Sequence, residues 1–283
     1  MVTTEHGTTE RTERRGSREG ARLAAAAATR TADYEFFFDF DGTLSAIVAD
    51  PEAAGPVPGA ADALEQLAAR AKRVTVVSGR PVSFLIKQLG DVPGLAFFGL
   101  YGLEYSLDGG ATVATLPEAA PYEAVISELV AEARQDFPDL LIEDKRLSCS
   151  VHYRSDPARE DEVVAWAERQ AEKRGLHLQR GRLVAELKPP VETDKGSVVL
   201  RTAPDAAGAW FFGDDLGDLP AFAALDRLAA ERPGFAGVRV AVANAEGPGA
   251  VLGRHADLVL SGPEEVPAML AAVLGTDRET LNG

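Results

Sequence analysis

The chain has 283 residues, 46% of them hydrophobic, which suffices for one large domain or two small ones with a buried core. A net charge of −15 and a pI near 4.8 argue against a nucleic-acid-binding protein, because such proteins need a basic surface. The single cysteine, Cys149, excludes an internal disulfide. No apolar run approaches the roughly 20 residues of a membrane-spanning helix, and the N-terminus lacks a signal-peptide pattern. We therefore expect a cytoplasmic protein with no membrane partner.

Residues 1–32 form the first segment, which is rich in Thr, Glu, Arg and Gly. This composition predicts a mostly disordered tail, because it offers too little apolar surface to stabilise a packed structure. The alanine run from Ala24 to Ala28 could add one helical turn within the tail.

The first predicted strand, over about 34–39, contains three consecutive phenylalanines and is expected to be buried on both faces. Asp39 ends this strand, Asp41 follows two residues later, and Gly42-Thr43 breaks the run. A polar turn is the simplest interpretation of these residue types. However, open α/β sheets bind their ligands at the carboxyl ends of their strands. There, one acid can attack a substrate, the other can exchange protons, and the pair favours a hard divalent cation.

A second buried strand ends in Ser78-Gly79-Arg80, directly ahead of a predicted helix over about 82–89. A hydroxyl at a strand end beside a helix N-terminus can donate a hydrogen bond to a phosphoryl oxygen, where backbone N–H groups also point. Considered alone, Ser-Gly after a strand also fits a plain turn.

The order of predicted helices and strands changes in the segment from about 111 to 188, which follows a predicted hairpin turn at residues 108–110. Helices are interspersed there with consecutive, meander-like strands, whereas the flanking segments are built of βαβ units. We therefore predict that the segment is a separate small domain. Its predicted helices lie at about 121–136 and 157–174, and its predicted strands at Leu140–Glu143, Leu147–Arg154, Leu176–Arg180 and Leu183–Lys188.

The βαβ rhythm returns at a predicted helix over about 195–203, with Asp194 as its N-cap and Lys195 in its first turn. The helix dipole disfavours a cation at this end, so Lys195 has either a role elsewhere or simple solvation. The other predicted elements are helices over about 59–71, 219–230 and 264–274, and strands over about 73–77, 95–99, 238–242 and 258–260.

A second acidic strand end follows the predicted strand at about 209–213. Asp214 and Asp215 are adjacent there, and Asp218 lies close behind. Carboxylates at one strand end repel each other, so this motif again indicates a bound cation.

These motifs stand in the order found in haloacid-dehalogenase-type (HAD) phosphatases, and over about residues 34–270 the chain resembles the trehalose-6-phosphate phosphatases more narrowly. It departs from that family's pattern at Ala46, Gly217 and Leu219. The narrower likeness rests on Asp39 through Pro56, Tyr101-Gly102-Leu103-Glu104, Glu143-x-Lys145, Ser150-Val151-His152-Tyr153-Arg154 and Glu186-Leu187-Lys188-Pro189-Pro190.

The resemblance implies an α/β fold, with a doubly wound, mostly parallel sheet in a Rossmann-like HAD core and an inserted, smaller α/β cap domain. The expected division assigns 33–108 and 191–276 to the catalytic core and 109–190 to the cap. Residues 1–32 and 277–283 are expected to be tails.

The same resemblance implies a phosphatase that hydrolyses trehalose 6-phosphate, in trehalose biosynthesis, through an aspartyl-phosphate on Asp39. Asp41 is then the acid and base, and Lys195 offsets the charge of the attacking carboxylate. Mg²⁺ is expected on Asp39, the backbone carbonyl of Asp41 and Asp214, with Asp215 supporting a metal-bound water. The expected partner is a small sugar phosphate, and the expected oligomeric state is a monomer.

Further residues have implied roles at the substrate. Ser78 and the backbone N–H groups near Gly42 and Thr43 are expected to hold phosphoryl oxygens, whereas Arg80 either helps them or forms a surface ion pair. The full implied substrate-binding set is Thr43, Gly79, Arg80, Gly102, Glu104, Glu143, Lys145, Arg154, Glu186 and Lys188.

Three rival functions stay open at this point, of which a generic nucleotidase is disfavoured by the sugar-like motifs of the inserted segment. The chain could be an HAD phosphatase for another sugar phosphate, such as sucrose 6-phosphate or mannosylglycerate phosphate. It could instead be a non-catalytic, sugar-phosphate-binding regulatory subunit, although the intact acids and lysine argue against that.

Overall fold

A computed structural model describes residues 20–48, 50–243 and 249–275. In chain order, the strands are β1 (Tyr34–Phe38), β2 (Arg73–Val77), β3 (Leu95–Gly99), β4 (Glu104–Ser106), β5 (Ala114–Thr115), β6 (Leu141–Asp144), β7 (Cys149–His152), β8 (His177–Gly181), β9 (Val184–Lys188), β10 (Gly208–Gly213), β11 (Ala236–Val242) and β12 (Leu258–Leu260). The α-helices are α1 (20–28), α2 (Ala60–Ala68), α3 (Val82–Leu89), α4 (Tyr122–Asp136), α5 (Glu160–Arg174), α6 (Lys195–Thr202), α7 (Leu219–Glu231), α8 (Gly249–Leu252) and α9 (Val266–Leu274).

The chain divides into two compact units. The smaller unit spans Ala114–Glu192, and the residues on either side of it form the larger unit. For comparison, the sequence-based boundaries of the inserted domain were 109–190.

The sheet of the larger unit has the strand order β12-β11-β10-β1-β2-β3-β4. The neighbouring strands from β12 to β3 are parallel, and only β4 runs antiparallel to its neighbour β3. Strands β1 and β10 lie next to each other in the middle of the sheet, and every residue of both is buried. This arrangement confirms the predicted doubly wound, mostly parallel α/β fold.

Helices cover both faces of this sheet, which explains why its central strands are continuous apolar runs. Leu64 of α2, Leu85 of α3 and Leu270 of α9 belong to the hydrophobic core on one face. Val198 of α6 and Phe222 of α7 belong to the core on the other face.

The predicted disordered tail of residues 1–32 is wrong from residue 20 onward. Residues 20–28 form helix α1, and Ala24 and Ala27 are only 2% and 1% exposed, in the core that also contains Leu258 and Leu270. The alanines supply a small apolar face that can pack closely, which the polar average of the segment conceals. Residues 1–19 and the predicted tail at 277–283 lie outside the described residues.

The smaller unit is an antiparallel sheet with the strand order β6-β7-β9-β8 and two helices, α4 and α5. Residues of both helices share a hydrophobic core with Cys149, Val151, Ala185 and Leu187, which lie on one face of the sheet. Because side chains alternate along a strand, the intervening residues lie on the other face, which is polar.

The described helices include none that is long and apolar enough to cross a membrane.

Candidate active site

Asp39 and Asp214 lie side by side at the carboxyl edge of the larger sheet, because each follows directly on one of two paired strands, β1 and β10. The backbone N–H of Asp39 donates to the carbonyl of Phe212 at 2.9 Å, which extends the pairing up to the acid. Phe38 and Phe212 stack below with their ring centroids 4.6 Å apart. The buried strands therefore fix the positions of the acids, as the sequence predicted.

Lys195 is buried between two carboxylates. Its Nζ lies 2.9 Å from Asp39 Oδ1 and 2.7 Å from Asp218 Oδ1, and its side chain is 4% exposed. Asp194 caps helix α6 as predicted, by accepting a hydrogen bond from the N–H of Ser197, and this cap places Lys195 in the first turn. The two ion pairs offset the unfavourable end of the helix dipole, so the position is not simple solvation.

Asp218, named in the sequence as the third acid of its motif but given no role there, is part of the site. Its side chain is fully buried, with Oδ1 on Lys195 and Oδ2 accepting the backbone N–H groups of Asp214 at 2.9 Å and Asp215 at 3.2 Å. A Cβ on Gly213 would stand 2.3 Å from the carboxylate carbon of Asp218, so only glycine allows this approach. The available signal was a third acid four residues after Asp214 on a short helical turn.

The carboxylates of Asp39, Asp214 and Asp218 offer ligand atoms within 4.8 Å of one another, the only such acidic group found among the described residues. An all-oxygen donor set fits a hard cation such as Mg²⁺. Both Asp218 oxygens already accept hydrogen bonds, so Asp39 and Asp214 are the better ligands. The neighbouring loop also fits this arrangement, because Gly42, at φ 80°, leaves room for the Asp214 carboxylate, which a Cβ there would meet at 2.2 Å.

Asp215 does not join this acidic group, and its predicted support of a metal-bound water stays a prediction. Its side chain is exposed, and its Oδ1 accepts the N–H of Gly217 at 2.7 Å. The reason is that a strand end sends successive side chains in opposite directions, so adjacent acids seldom share one ligand.

The pKa values of the buried acids are set by two opposing effects, their burial and the single ammonium group of Lys195. Burial raises the pKa of Asp39 well above its ordinary value, Lys195 lowers it, and the carboxylates of Asp218 and Asp214 raise it further. Burial, Asp218 and Asp215 together raise the pKa of Asp214 to about 7 against the opposing effect of Lys195. Burial lowers the pKa of Lys195, but Asp39 and Asp218 outweigh it and the net shift is upward. The lysine stays charged, and the acids need further positive charge to ionise together.

Asp41 turns its carboxylate to Arg80. Arg80 Nε donates to Asp41 Oδ2 at 2.8 Å and its Nη2 donates to Oδ1 at 2.9 Å. The Arg80 side chain is 19% exposed and that of Asp41 is 36% exposed. The sequence is consistent with Arg80 as a phosphoryl ligand or as a surface ion pair, and in the structure Arg80 pairs with the predicted acid and base.

The predicted backbone donors of the loop are already engaged. Gly42 N–H donates to the carbonyl of Ser45 at 2.8 Å, and Thr43 N–H donates to that of Phe40 at 3.3 Å. The loop folds into tight internal turns that use these N–H groups, so their contact with phosphoryl oxygens stays a prediction. The Thr43 hydroxyl is buried without a hydrogen-bond partner, so its contact with substrate stays a prediction.

Ser78 suits its predicted role better. It is 2% exposed, and its Oγ accepts the N–H of Arg80 at 3.1 Å, which leaves the hydroxyl hydrogen as a donor. Gly79 leaves space for the ring of Tyr101, whose hydroxyl oxygen a Cβ would meet at 2.8 Å.

Glu104 and Gly102 have contacts inside the larger unit. Glu104 is 3% exposed, and its Oε2 accepts the N–H of Val82 at 3.0 Å, at the start of α3. Gly102 has a φ of 96°, and a Cβ there would meet Val198 at 2.7 Å. Both residues therefore position the helices beside the site, and their binding of substrate stays a prediction.

The polar face of the smaller sheet carries a connected set of side chains. Lys145 Nζ lies 3.2 Å from Glu186 Oε1 and 3.6 Å from Glu143 Oε2. His152 Nε2 lies 3.0 Å from Glu143 Oε2, and Ser148 donates to Glu186 at 2.6 Å. Three of the predicted sugar-binding residues thus lie together.

Two further predicted residues lie outside this set. Lys188, on β9, donates to Gln179 at 2.7 Å. Arg154 is exposed in the turn after β7, beyond the strand that was predicted to contain it.

The family model for trehalose-phosphatase matches residues 37–248, which include every acid of the site. The chain belongs to the trehalose-phosphatase family. A trehalose-phosphate phosphatase of Mycobacterium tuberculosis (strain ATCC 25618 / H37Rv) is 42% identical over 199 residues, which are 66% of this chain and 50% of that protein. The chain therefore spans about half the length of the curated relatives it matches.

Solved structures show the same fold. A trehalose-6-phosphate phosphatase related protein has a TM-score of 0.68 at 21% identity, over 87% of this chain and 100% of its own. The C-terminal domain of a Candida albicans trehalose synthase regulatory protein has a TM-score of 0.60 at 12% identity, over 90% and 97%. A haloacid dehalogenase-like hydrolase from Bacteroides thetaiotaomicron has a TM-score of 0.58 at 15% identity, over 84% and 98%. The HAD-type fold is thereby confirmed.

Proposed function

We propose that this chain is a Mg²⁺-dependent phosphatase that hydrolyses trehalose 6-phosphate to trehalose and phosphate in the cytoplasm. Membership of the trehalose-phosphatase family supports the substrate. The observation that carries the chemistry is the buried Lys195 ammonium 2.9 Å from the Asp39 carboxylate at the end of a central strand.

The reaction proceeds in two halves. An Asp39 oxygen attacks phosphorus, the bond between phosphorus and the sugar oxygen breaks, and protonated Asp41 gives its proton to that oxygen. Water then attacks the aspartyl-phosphate, Asp41 takes the water proton, and the departing phosphate restores the Asp39 carboxylate. Lys195 stabilises the negative charge that builds up on the transferring group, and Ser78 donates to one of its oxygens.

Asp39 and Asp214 would hold the Mg²⁺, with the backbone carbonyl of Asp41 as a third ligand. When bound, the cation neutralises phosphoryl charge and lets two anions approach each other. Asp218 keeps Lys195 and the backbone of Asp214 in place from behind.

Sugar recognition is assigned to the polar residues of the smaller unit. Glu143, Lys145 and Glu186 offer both acceptors and donors, which is what the uncharged hydroxyls of a disaccharide require. The pairing among these side chains supports the assignment, because it holds them in a fixed arrangement before a ligand arrives.

The deciding experiment measures phosphate release from trehalose 6-phosphate, sucrose 6-phosphate, mannosylglycerate phosphate and glucose 6-phosphate, with Mg²⁺ and with excess chelator. We expect the highest kcat/KM for trehalose 6-phosphate and loss of turnover on chelation. A preference for another sugar phosphate would replace the substrate but keep the chemistry. The regulatory alternative predicts binding of a sugar phosphate without phosphate release. It is tested because the Candida albicans regulatory protein has a similar fold.

A further inference from the structure

Asp41 lies in a loop, where a side chain is less constrained than at the end of a strand. Proton transfer to a leaving oxygen is sensitive to geometry, and misplacement by about 1 Å can cost about 100-fold in rate. The Asp41 carboxyl group therefore needs a contact that fixes its position, and Arg80 supplies it. Arg80 Nε and Nη2 each donate to a different Asp41 oxygen, at 2.8 and 2.9 Å, and the two donors together form a fork. Such a bidentate pair fixes the plane of the carboxylate as well as its position.

Arg80 is itself held in place. Its backbone N–H donates to Ser78 Oγ at 3.1 Å, and its carbonyl accepts the N–H of Leu100 at 3.0 Å. Its guanidinium carbon lies 4.5 Å from the centroid of the Phe84 ring. The Phe84 ring in turn packs edge-on against Phe40, at 5.6 Å and 84°.

These contacts form a closed ring. They run from Phe40 through Phe84 to Arg80 and on to Asp41, which follows Phe40 in the chain. Phe40 is fully buried and Phe84 is 7% exposed, so the ring is anchored in the hydrophobic core. The loop carrying Asp41 is thus held by one apolar contact with helix α3 and one ionic contact with Arg80, which precedes that helix.

We propose that Arg80 is a positioning residue that orients Asp41 for proton transfer, and that it does not serve chiefly to bind the phosphoryl group. The proposal rests on the phosphatase function above. Its physical basis is that the Nε–Nη2 edge of the guanidinium, the edge suited to bidentate recognition, already faces Asp41. The carboxylate in this pair is the form that Asp41 takes once it has given its proton to the leaving oxygen, so the pair favours completion of that transfer.

The test compares two leaving groups. A sugar alkoxide needs a proton to depart, whereas p-nitrophenolate leaves as a stable anion without one. Because kcat/KM includes only the steps up to departure of the leaving group, it isolates the half-reaction in which Asp41 acts as the acid. For Arg80→Gln we expect kcat/KM on trehalose 6-phosphate to fall about 10- to 100-fold, and on p-nitrophenyl phosphate to fall less than about threefold.

Two matched variants grade the effect. Arg80→Lys keeps the charge but loses the fork, and Phe84→Leu loosens the support of the guanidinium. Both are expected to show the same leaving-group pattern with a smaller loss than Arg80→Gln. If Arg80→Gln does not fold, these two variants carry the same comparison.

A double-variant cycle tests whether Arg80 acts through Asp41. Asp41→Asn alone should lose about 100-fold or more on trehalose 6-phosphate, and adding Arg80→Gln should lower kcat/KM by less than about a further threefold. Equal losses on both substrates would mean that Arg80 binds the phosphoryl group, and additive losses in the double variant would mean that it acts independently. Either result overturns the proposal. A wild-type protein that turns over neither substrate with Mg²⁺ would refute the phosphatase function instead.

Discussion

The carboxyl edge of the parallel sheet and the polar face of the smaller sheet both carry carboxylates paired with lysine, but they differ in burial. At the sheet edge, Lys195 and its partners Asp39 and Asp218 are at most 8% exposed. On the smaller sheet, Lys145 is 18% exposed and its partner Glu143 is 40% exposed. The first region therefore works in a low-dielectric environment, whereas water screens the second.

Under the proposed function, the buried region carries out the chemistry and the more exposed region recognises the sugar. Buried charges at fixed positions can stabilise a transferring phosphoryl group strongly, because they need no reorganisation during the reaction. Half-exposed charges gain little from one another and are better suited to exchange water for sugar hydroxyls. Substitutions in the first region should thus abolish turnover or alter stability, and those in the second should alter substrate affinity.

The largest effect is expected from Asp39→Asn. An amide oxygen is too weak a nucleophile to attack phosphorus, so kcat should fall at least about 1,000-fold for trehalose 6-phosphate and for p-nitrophenyl phosphate alike. Phosphate release measures the loss, and circular dichroism checks that the variant is folded. Substantial turnover by a folded Asp39→Asn protein would remove Asp39 from its assigned role.

Mg²⁺ should stabilise the protein, because it relieves the repulsion between Asp39 and Asp214. At 100 times its dissociation constant it is expected to add about 2.7 kcal/mol to the free energy of unfolding, measured by denaturant titration with and without chelator. Asp214→Asn should lose most of this gain, whereas the matched control Asp215→Asn should keep it. The reverse pattern would place the cation on Asp215.

Glu35 on β1 can be compared with Asp39, which follows the same strand but has an ion pair with Lys195. Glu35, on β1, is 1% exposed, its Oε2 has no hydrogen-bond partner, and burial raises its pKa from 4.5 to about 6, against the opposing effects of Arg73 and Lys72. Because the folded pKa is the higher one, the folded state holds the proton more tightly. Stability is therefore lost as the pH rises from about 4.5 through about 6.

Glu35→Gln should remove this pH dependence. The free energy of unfolding of the wild type, relative to the variant, is expected to be about 2 kcal/mol lower at pH 7 than at pH 4. Working with the difference between the two proteins cancels the titration of the other groups. An identical difference at both pH values would show that Glu35 titrates normally in the folded protein.

The smallest effect is expected on the polar face of the smaller sheet. Lys145→Gln should raise KM for trehalose 6-phosphate about tenfold, or about 1.4 kcal/mol, and leave p-nitrophenyl phosphate unaffected. Lys173→Gln, on helix α5, is the matched control, because Lys173 is 64% exposed and lies 3.9 Å from its partner Glu132. A loss on both substrates would mean that Lys145 contributes to chemistry or folding rather than to sugar recognition.

The sequence alone determined where the first and last acidic motifs lie. A short apolar run bounded by turn residues favours a strand covered on both faces, and the carboxyl ends of parallel strands share one edge, so Asp39 and Asp214 were expected at the same edge of the sheet. That their strands are direct neighbours was implied only by the family resemblance and is seen in the pairing of β1 with β10. The N-cap at Asp194 followed from a local rule in the same way.

Only the tertiary structure decided which charged and polar groups contact each other. Lys195 and Asp218 are 23 residues apart, Asp41 and Arg80 are 39 apart, and Val82 and Glu104 are 22 apart. Each of these contacts depends on how far a side chain extends once the strands and helices have packed. The local sequence pattern does not contain that information. The same holds for helix α1, whose alanines have an apolar partner only once the core exists.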